Sequence, residues 1–439
     1  MSMSTELIRL GRPGLTIAWL RLAKCLSLGV CAIAVFVTVW RGPLPVDTPQ
    51  YYMGGLMART GGWADLYPIP VRNSMENAGY PEASVSTQAY SRRSAAVGAP
   101  NTFRFIESPP VAAVLAPLSL VSLKMASRCW QIGLGVCIWM TGVQAGAIYR
   151  RLVGRRTLIE GVIVLATVLL PRPWIGVWLG NISPLEGCCV GGATLALLDK
   201  RTGAAIAWIL TGLFAKYTTL AVLLVVLVRG QWRIMAGVVC GALSIVIATL
   251  PFCGMSPYLV FARQIWPTLQ RPTLNWTNQS LFGVAAQLIN DPNCLSHAVS
   301  LLVVARWLAF CAITCLLWLR RSSMETYPSM CVAGVLVVLC WLQLFGPLTW
   351  SHYAVFFSPF LGMMVCLAGR GGAWAAVLWC AMLLAFLPWR SIAAPQVMQN
   401  ALSHFGLSAA LLVFATIAVA CLVTRRTCSL VVFAGGDES

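Results

Sequence analysis

The chain has 439 residues, of which 59% are hydrophobic and only 10% charged, and its mean hydropathy is +0.78. Soluble domains carry about 25% charged residues, so this composition excludes a soluble enzyme, a disordered chain and a partner of nucleic acids. Lys and Arg outnumber Asp and Glu by 31 to 13, and the basic residues lie in short clusters between apolar stretches. That pattern orients helices in a bilayer. The sequence therefore predicts an all-α polytopic membrane protein.

The 17 cysteines do not indicate a disulfide framework, because most of them lie in apolar stretches, where Cys acts as a small hydrophobic residue. No Cys-x-x-Cys pair occurs in the sequence, and the three histidines are far apart. We therefore expect no metal site and no cofactor.

The first predicted span, at 23–40, follows a basic leader without a small-residue cleavage site after its apolar core, so we expect an uncleaved anchor. A polar segment at 41–108, rich in Pro, Gly, Tyr and Ser, comes next, and an apolar patch then leads into a second span at about 126–148. We predict that 41–125 is a long first extracytoplasmic loop of one integral membrane domain covering 1–439.

Further apolar stretches predict the remaining spans. The stretch at 203–228 is basic at both ends and carries Lys216 in its middle. Because one span cannot begin and end on the same side, we interpret it as a hairpin of two short helices, 203–214 and 217–228. The total is about twelve crossings with both termini in the cytoplasm. The other predicted spans lie at 158–179, 183–198, 233–252, 298–319, 328–345, 353–368, 373–388 and 402–424.

The distribution of basic residues supports this threading. Segments assigned to the cytoplasm hold 17 Lys and Arg residues, whereas the short loops on the other side hold five. The long first loop, counted to Arg128, holds eight more, but long segments are largely exempt from the positive-inside rule.

Polar motifs recur at the ends of spans, and all of them fall on the extracytoplasmic side of this threading. The acidic residues outside the cytoplasmic side concentrate in the first loop and its exit, with Glu186 just inside the fourth span. Scattered loop polarity would not cluster in this way, so we predict an outward-facing site at the membrane boundary. The motifs are Gly180-Asn181 with Ser183-Pro184, Lys216-Tyr217, Asn275 to Ser280, and Gly346 to Tyr353.

Asp47 lies about seven residues beyond the first predicted span, directly before Thr48-Pro49. A carboxylate near the bilayer surface can act as a general base. The same spacing also suits a helix N-cap, because Asp-x-Pro is a good helix start. The residues alone leave both interpretations open.

Lys216 and His352 are further candidate site residues. A lysine within an apolar hairpin is costly unless it is paired or hydrated, and charges inside membranes are functional by default; the alternative is snorkelling to the interface. His352 suits a proton carrier, a phosphate partner or an interface residue. The tryptophans at loop ends favour an interfacial belt over a platform for sugar rings.

The order of these motifs resembles glycosyltransferase family 87, which belongs to the GT-C class of polyprenyl-phosphate-sugar-dependent enzymes. The resemblance runs from about 47 to 360. The family usually has Gly-Gln where this chain has Gly180-Asn181, and a Tyr-x-Pro-Pro-like stretch where this chain reads Phe105 to Pro110. The matching motifs are Asp47 to Tyr52 with Gly54-Gly55, Leu66-Tyr67, Phe103 to Phe105, Pro109-Pro110, Pro117-Leu118 before Trp130, Gly180-Asn181, Lys216, Asn278 to Leu281 with Gly283, and Pro347 to Tyr353.

This resemblance implies a GT-C-like helical bundle in a bacterial inner membrane, with its active site facing the periplasm or exterior. It implies an inverting transfer of a sugar, mannose- or arabinose-like, from a polyprenyl phosphate to a hydroxyl of a glycan or lipid acceptor, with Asp47 as the general base. Glu107 adds a carboxylate near the site and keeps a retaining mechanism open. The residues expected to bind the donor phosphate or substrate are Lys216, His352, Arg271, Asn181, Asn278, Gln279, Tyr51, Tyr52 and Glu107.

A transporter or flippase of a lipid-linked sugar is the competing class. Transporters often show internal repeats and broken helices near the membrane midplane. The hairpin at 203–228 matches the second feature, but the second half of the sequence does not repeat the first, and transport does not need so long a first loop. A non-catalytic scaffold leaves Lys216 unexplained.

Overall fold

The computed structural model of the protein is almost entirely helical in the part of the chain that it describes. One antiparallel pair of two-residue strands interrupts the helices, with Ile69 of β1 (Ile69–Pro70) opposite Val85 of β2 (Ser84–Val85). The predicted all-helical class agrees with this architecture. The described residues are 13–67, 69–70, 84–85, 87–99, 105–272, 278–368, 373–386 and 396–424.

The helices are numbered in chain order. The first group is α1 (Pro13–Arg41), α2 (Thr48–Arg59), α3 (Gln88–Ala96), α4 (Pro109–Leu115), α5 (Leu123–Val153), α6 (Leu158–Leu169) and α7 (Pro171–Leu179). The second group is α8 (Ser183–Leu198), α9 (Thr202–Ala215), α10 (Leu220–Val228), α11 (Trp232–Cys253), α12 (Ser256–Val260) and α13 (Trp266–Leu269). The third group is α14 (Leu281–Leu288), α15 (Pro292–Leu319), α16 (Arg321–Thr326), α17 (Pro328–Leu344), α18 (Leu361–Ala368), α19 (Ala373–Phe386) and α20 (Gln396–Thr424).

Short segments of other helix types join these elements. Three are 3₁₀ segments, at Trp63–Asp65, Ala116–Leu120 and Ser351–Phe360, and a π-helical turn at Phe261–Ile265 connects α12 to α13.

Within the described ranges, five helices are long and apolar enough to cross a membrane, and a sixth span results if α6 and α7 are counted as one. These two helices are bent by 43° where Pro171 follows Leu170, because proline lacks the backbone N–H that a continuous helix requires. Shorter helices occupy the other predicted spans, so the expected number of about twelve crossings stays a prediction. The five long helices are α1, α5, α11, α15 and α20.

The apolar surfaces of these helices identify the side that faces lipid. Each long helix has a most apolar stretch of 18 residues. In α15 none of these residues is buried inside the protein and in α11 only 11% are, whereas in α5 56% are buried. Helices that are both apolar and exposed are stable only in a hydrocarbon environment, where their backbone groups are satisfied internally. The protein is therefore a membrane protein, with α11 and α15 at its lipid-facing side.

The largest hydrophobic cluster surrounds α17, whose side chains are buried over almost its whole length. A second cluster packs the first loop against the membrane helices. It joins Tyr51, Met53 and Phe105 of the first loop to Ile182 and Ala215, which are the chain neighbours of Asn181 and Lys216. This packing brings together motifs that are far apart in the sequence.

Candidate active site

A cavity of about 620 Å³ lies where the predicted polar motifs meet. Its wall combines the loop before α2, the turn before α4, the ends of α7 and α9, the π-helical turn and the start of the last 3₁₀ segment. Apolar side chains, among them Phe261, Trp266 and Leu348, form much of the remaining surface. The ionisable, amide and hydroxyl side chains that line it are Asp47, Gln50, Tyr51, Glu107, Ser108, Asn181, Lys216, Tyr217, His352 and Tyr353.

Asp47 occupies the position before α2, but its carboxylate makes no capping hydrogen bond to that helix. The side-chain amide of Asn181 instead donates to Oδ2 of Asp47 at 2.7 Å. Oδ1 of Asn181 accepts from the backbone N–H of Ser183 at 3.0 Å, which fixes the amide so that its NH₂ group faces the carboxylate. The helix start predicted at this position is present, whereas the side-chain cap is not.

Gly180 makes the contact between Asp47 and Asn181 sterically possible. It ends α7 with a φ of +70°, a left-handed conformation that favours glycine. A Cβ at this position would overlap the hydroxyl of Thr48 and crowd Pro45. The glycine therefore lets the chain before α2 lie directly against the end of α7.

The carboxyls of Asp47 and Glu107 both belong to the first loop, outside the spanning helices, and both are perturbed. Burial raises the pKa of Asp47, while the hydrogen bond from Asn181 and the charge of Lys216 oppose the increase. Burial raises the pKa of Glu107 to about 7; Lys216 lowers it and the Asp47 charge raises it further. Burial therefore favours the protonated form of both carboxyls, and the charge of Lys216 favours the ionised form of both.

Lys216 lies at the break between α9 and α10, in extended backbone with φ −164° and ψ −164°. Its Nζ donates to the Tyr353 hydroxyl at 3.1 Å and lies 4.8 Å from the centre of that ring. The break lets the amine reach the cavity instead of remaining on a helix surface.

His352 is buried and lines the same cavity. Its ring stacks on Trp350 and meets Tyr353 edge-on, with ring centres 6.3 Å and 4.9 Å apart. Its Nε2 has no hydrogen-bond partner among the residues that the structure describes. A buried nitrogen of this kind, in the wall of a cavity, is available to a ligand.

Four of the predicted site residues do not line the cavity. Arg271 is exposed outside it, and the hydroxyl of Tyr52 donates to the Val121 carbonyl at 3.0 Å. Asn278 and Gln279 are buried and bond to backbone groups of the segment that precedes His352. Asn278 and Gln279 therefore stabilise the segment before His352 without lining the cavity themselves.

Tyr51 differs from its neighbour because it does line the cavity. It packs against Trp130 with ring centres 5.3 Å apart, and its hydroxyl accepts from the backbone N–H of Ile182 at 3.4 Å. Tyr51 therefore links α2 to the turn that carries Asn181.

The sequence grouped Glu186 and Tyr353 with the polar motifs of the predicted site but gave neither a role, and it did not single out Thr218. The structure places all three around Lys216. Glu186 is fully buried in the first turn of α8 and accepts from the Thr218 hydroxyl at 2.5 Å. Its position inside an apolar span was the available signal, because an acid there is costly unless it has a specific partner.

An apolar groove of about 380 Å³ adjoins the cavity and shares Tyr217, Leu220, Trp266 and Pro347 with it. Side chains of α10, α11, α15 and α17 form most of its wall. Because α11 and α15 face lipid, the groove connects the polar cavity with the hydrocarbon side of the protein.

Comparison with known proteins gives one family. The model of glycosyltransferase family 87 matches residues 105–342, which is just over half of the chain. The matched region contains Glu107, Asn181 and Lys216, whereas Asp47 and His352 lie outside it. No curated protein matches the chain.

Proposed function

Because the chain belongs to glycosyltransferase family 87, we propose that it transfers a sugar from a polyprenyl-phosphate donor to an acceptor hydroxyl at the extracytoplasmic face of a bacterial inner membrane. Family membership makes the protein a glycosyltransferase. The donor, the side of the membrane and the roles of individual residues are the proposal, and one observation carries it: a single cavity combines Asp47 with Lys216 and continues into an apolar groove.

The reaction requires a base on one side of the anomeric carbon and a cation on the other. Asp47 takes the proton of the acceptor hydroxyl while its oxygen forms a bond to the anomeric carbon. The bond from that carbon to the phosphate oxygen breaks, and the polyprenyl phosphate leaves with its electron pair. Lys216 and His352 bind the phosphate as charge develops on it. A single displacement of this kind inverts the anomeric configuration.

The groove supports a lipid donor over a nucleotide sugar. Its wall is mainly aliphatic and aromatic, and it begins beside Tyr217, the residue that follows Lys216. A donor whose phosphate binds at Lys216 can therefore place its polyprenyl chain in the groove and extend it towards the bilayer. A nucleotide sugar has no apolar chain that could occupy such a groove.

The acceptor is proposed to be a glycan or lipid hydroxyl that enters the cavity from the first-loop side, where Asp47 and Glu107 lie. Mannose- and arabinose-like sugars are the donors to test first. With Asp47 as the only carboxylate that reacts at the anomeric centre, the mechanism is inverting. Glu107 as a nucleophile would give retention.

The test uses purified protein in lipid nanodiscs with synthetic mannosyl- and arabinosyl-phosphopolyprenols and, separately, nucleotide sugars. We expect transfer from one lipid-linked donor and none from a nucleotide sugar. Lys216→Ala should raise the donor KM, whereas Lys124→Ala, which removes an exposed lysine outside the cavity, should not. Transfer from a nucleotide sugar without any polyprenyl phosphate would contradict the proposal.

The break between α9 and α10 and the 43° bend between α6 and α7 favour a flippase as the second candidate, because broken helices are common in transporters. The same nanodisc assay separates the two functions. A flippase moves the lipid-linked sugar between leaflets with its glycosyl phosphate bond intact, whereas the proposed enzyme releases polyprenyl phosphate.

A further inference from the structure

Glu186 lies behind Lys216 and does not line the cavity. Its side chain is fully buried, and Oε2 accepts the Thr218 hydroxyl at 2.5 Å. Its second oxygen, Oε1, has no hydrogen-bond partner within the described ranges. Glu186 and Lys216 also interact electrostatically. A buried carboxylate with one unpartnered oxygen destabilises the fold, so its presence needs an explanation beyond packing.

The start of α8 connects both halves of the cavity. Asn181, two residues before the helix, donates to Asp47. Glu186, in its first turn, accepts from Thr218, which lies two residues after Lys216. The start of α8 therefore contacts Asp47 through Asn181. It also contacts the segment that carries Lys216, through the Thr218 hydroxyl.

The segment 216–219 needs such a contact because it lies in the break between α9 and α10, where the helical bonds of α9 end with the Lys216 N–H donating to the Gly212 carbonyl at 2.9 Å. The hydroxyl of Thr219 donates to the Ile209 carbonyl at 3.2 Å, and its side chain packs against Gly212, where a Cβ would overlap it. These contacts hold the end of the segment against α9. The contact of Thr218 with Glu186 holds its centre against α8.

We infer that Glu186 is a positioning residue for Lys216: through Thr218 it fixes the unwound segment so that the lysine amine points into the cavity. This inference rests on the proposed function for its consequence, since a positioned amine would bind the phosphate of the donor. The placement of the amine itself is measurable without any donor.

The first test measures the reactivity of Lys216. Reductive methylation of the protein in nanodiscs, followed by peptide mass spectrometry, gives the modification rate of this lysine. Thr218→Val retains the shape of the side chain but removes the hydrogen bond, and we expect an increase of about tenfold in the rate, as for loss of one hydrogen bond to a charged group. Thr194→Val is the matched control, because Thr194 is a buried residue of α8 whose hydroxyl bonds to its own helix.

The second test measures donor kinetics. Thr218→Val should raise the donor KM about tenfold with kcat changed less than twofold. Glu186→Ala should raise the donor KM as Thr218→Val does, and Glu186→Gln should raise it less, because its amide oxygen still accepts from Thr218. In a Lys216→Ala background, Thr218→Val should have no further effect on KM, since the contact acts through the lysine.

An unchanged methylation rate of Lys216 in Thr218→Val would overturn the inference, and so would a KM effect that persists without Lys216. Both results would leave the proposed function intact. If the wild-type protein instead transfers no sugar while Thr218→Val still accelerates methylation, the proposed function fails and the positioning role stands.

Discussion

Asn181 and Asn278 begin two segments with the same Asn-x-Ser pattern and the same hydrogen bond between the asparagine and the serine. In each, the side-chain carbonyl accepts a hydrogen bond of 3.0 Å from the backbone N–H of the serine two residues later. They differ in what the amide NH₂ group contacts: Asn181 donates to the carboxylate of Asp47, and Asn278 donates to the backbone carbonyl of Pro347. One asparagine supports a carboxylate in the cavity wall and the other supports a loop.

The surroundings explain the difference. Asn181 lines the cavity and retains some exposure, so water can replace part of what a substitution removes. Asn278 is fully buried, and its carbonyl also accepts from the backbone N–H of Thr349 at 2.7 Å. The local pattern therefore determines the conformation of each segment, while the distant partner determines its role.

Asp47→Asn tests the cavity side of this comparison and has the largest expected effect. It replaces the carboxylate with a group of the same size that cannot accept a proton, so turnover should fall by about 10²-fold or more. Thermal stability should remain near wild type, because the Asp47 side chain makes no capping bond to α2. Sugar transfer and thermal unfolding of the purified protein measure the two quantities.

The matched control is Asp65→Asn, which alters another first-loop carboxylate that does not line the cavity. It should leave transfer unchanged. If Asp47→Asn transfers at the wild-type rate while Glu107→Gln does not, the base is Glu107.

Asn278→Ala tests the structural role of the buried asparagine and should lower the stability of the protein. The substitution leaves the backbone N–H groups of Ser280 and Thr349 and the carbonyl of Pro347 without the partners that Asn278 provides. Each such buried group costs about 1–3 kcal/mol, so the unfolding midpoint should fall clearly while transfer per folded molecule stays near wild type. A stable but inactive Asn278→Ala protein would instead indicate contact with substrate.

Asn181→Ala should show the opposite pattern. It removes a hydrogen bond to a charged group, worth about 1.5–3 kcal/mol, and turnover at neutral pH should fall about tenfold. Because that hydrogen bond lowers the pKa of Asp47, its loss raises the pKa and moves the acid limb of the pH profile to higher pH. A pH–rate series measures this shift, and an unshifted limb would show that Asn181 does not act through Asp47.

The sequence predicts the helices well because apolar length and flanking charge act locally. The predicted apolar stretch at 183–198 coincides with α8, and α9 ends at Ala215, directly before Lys216. The bend at Pro171 within 158–179 was not predicted, since an apolar stretch with proline at its centre still has the length of one span. The cluster around α17 depends on tertiary packing, which composition does not specify.

The candidate site could be predicted only in part. Asp47, Lys216 and His352 stand out as polar groups near or within apolar stretches, and the structure brings them to one cavity. The partner of Asp47 lies 134 residues away, and no local pattern indicates such a pair. Arg271 carries the right charge for phosphate but lies outside the cavity, because residue type does not determine which way a loop faces.

Glu107→Gln has the smallest expected effect and concerns pH. Ionised Glu107 adds a negative charge near Lys216, which should weaken binding of the donor phosphate. Because the pKa of Glu107 is raised to about 7, kcat/KM for the donor should rise with pH as Asp47 loses its proton and then fall a few-fold above about pH 7. Glu107→Gln should abolish the fall and leave the acid limb in place, since the acid limb is assigned to Asp47. Donor kinetics from about pH 5 to about pH 9 measure both limbs. An alkaline fall that persists in Glu107→Gln would assign it to another group, and a shifted acid limb would mean that the two carboxyls titrate as a coupled pair.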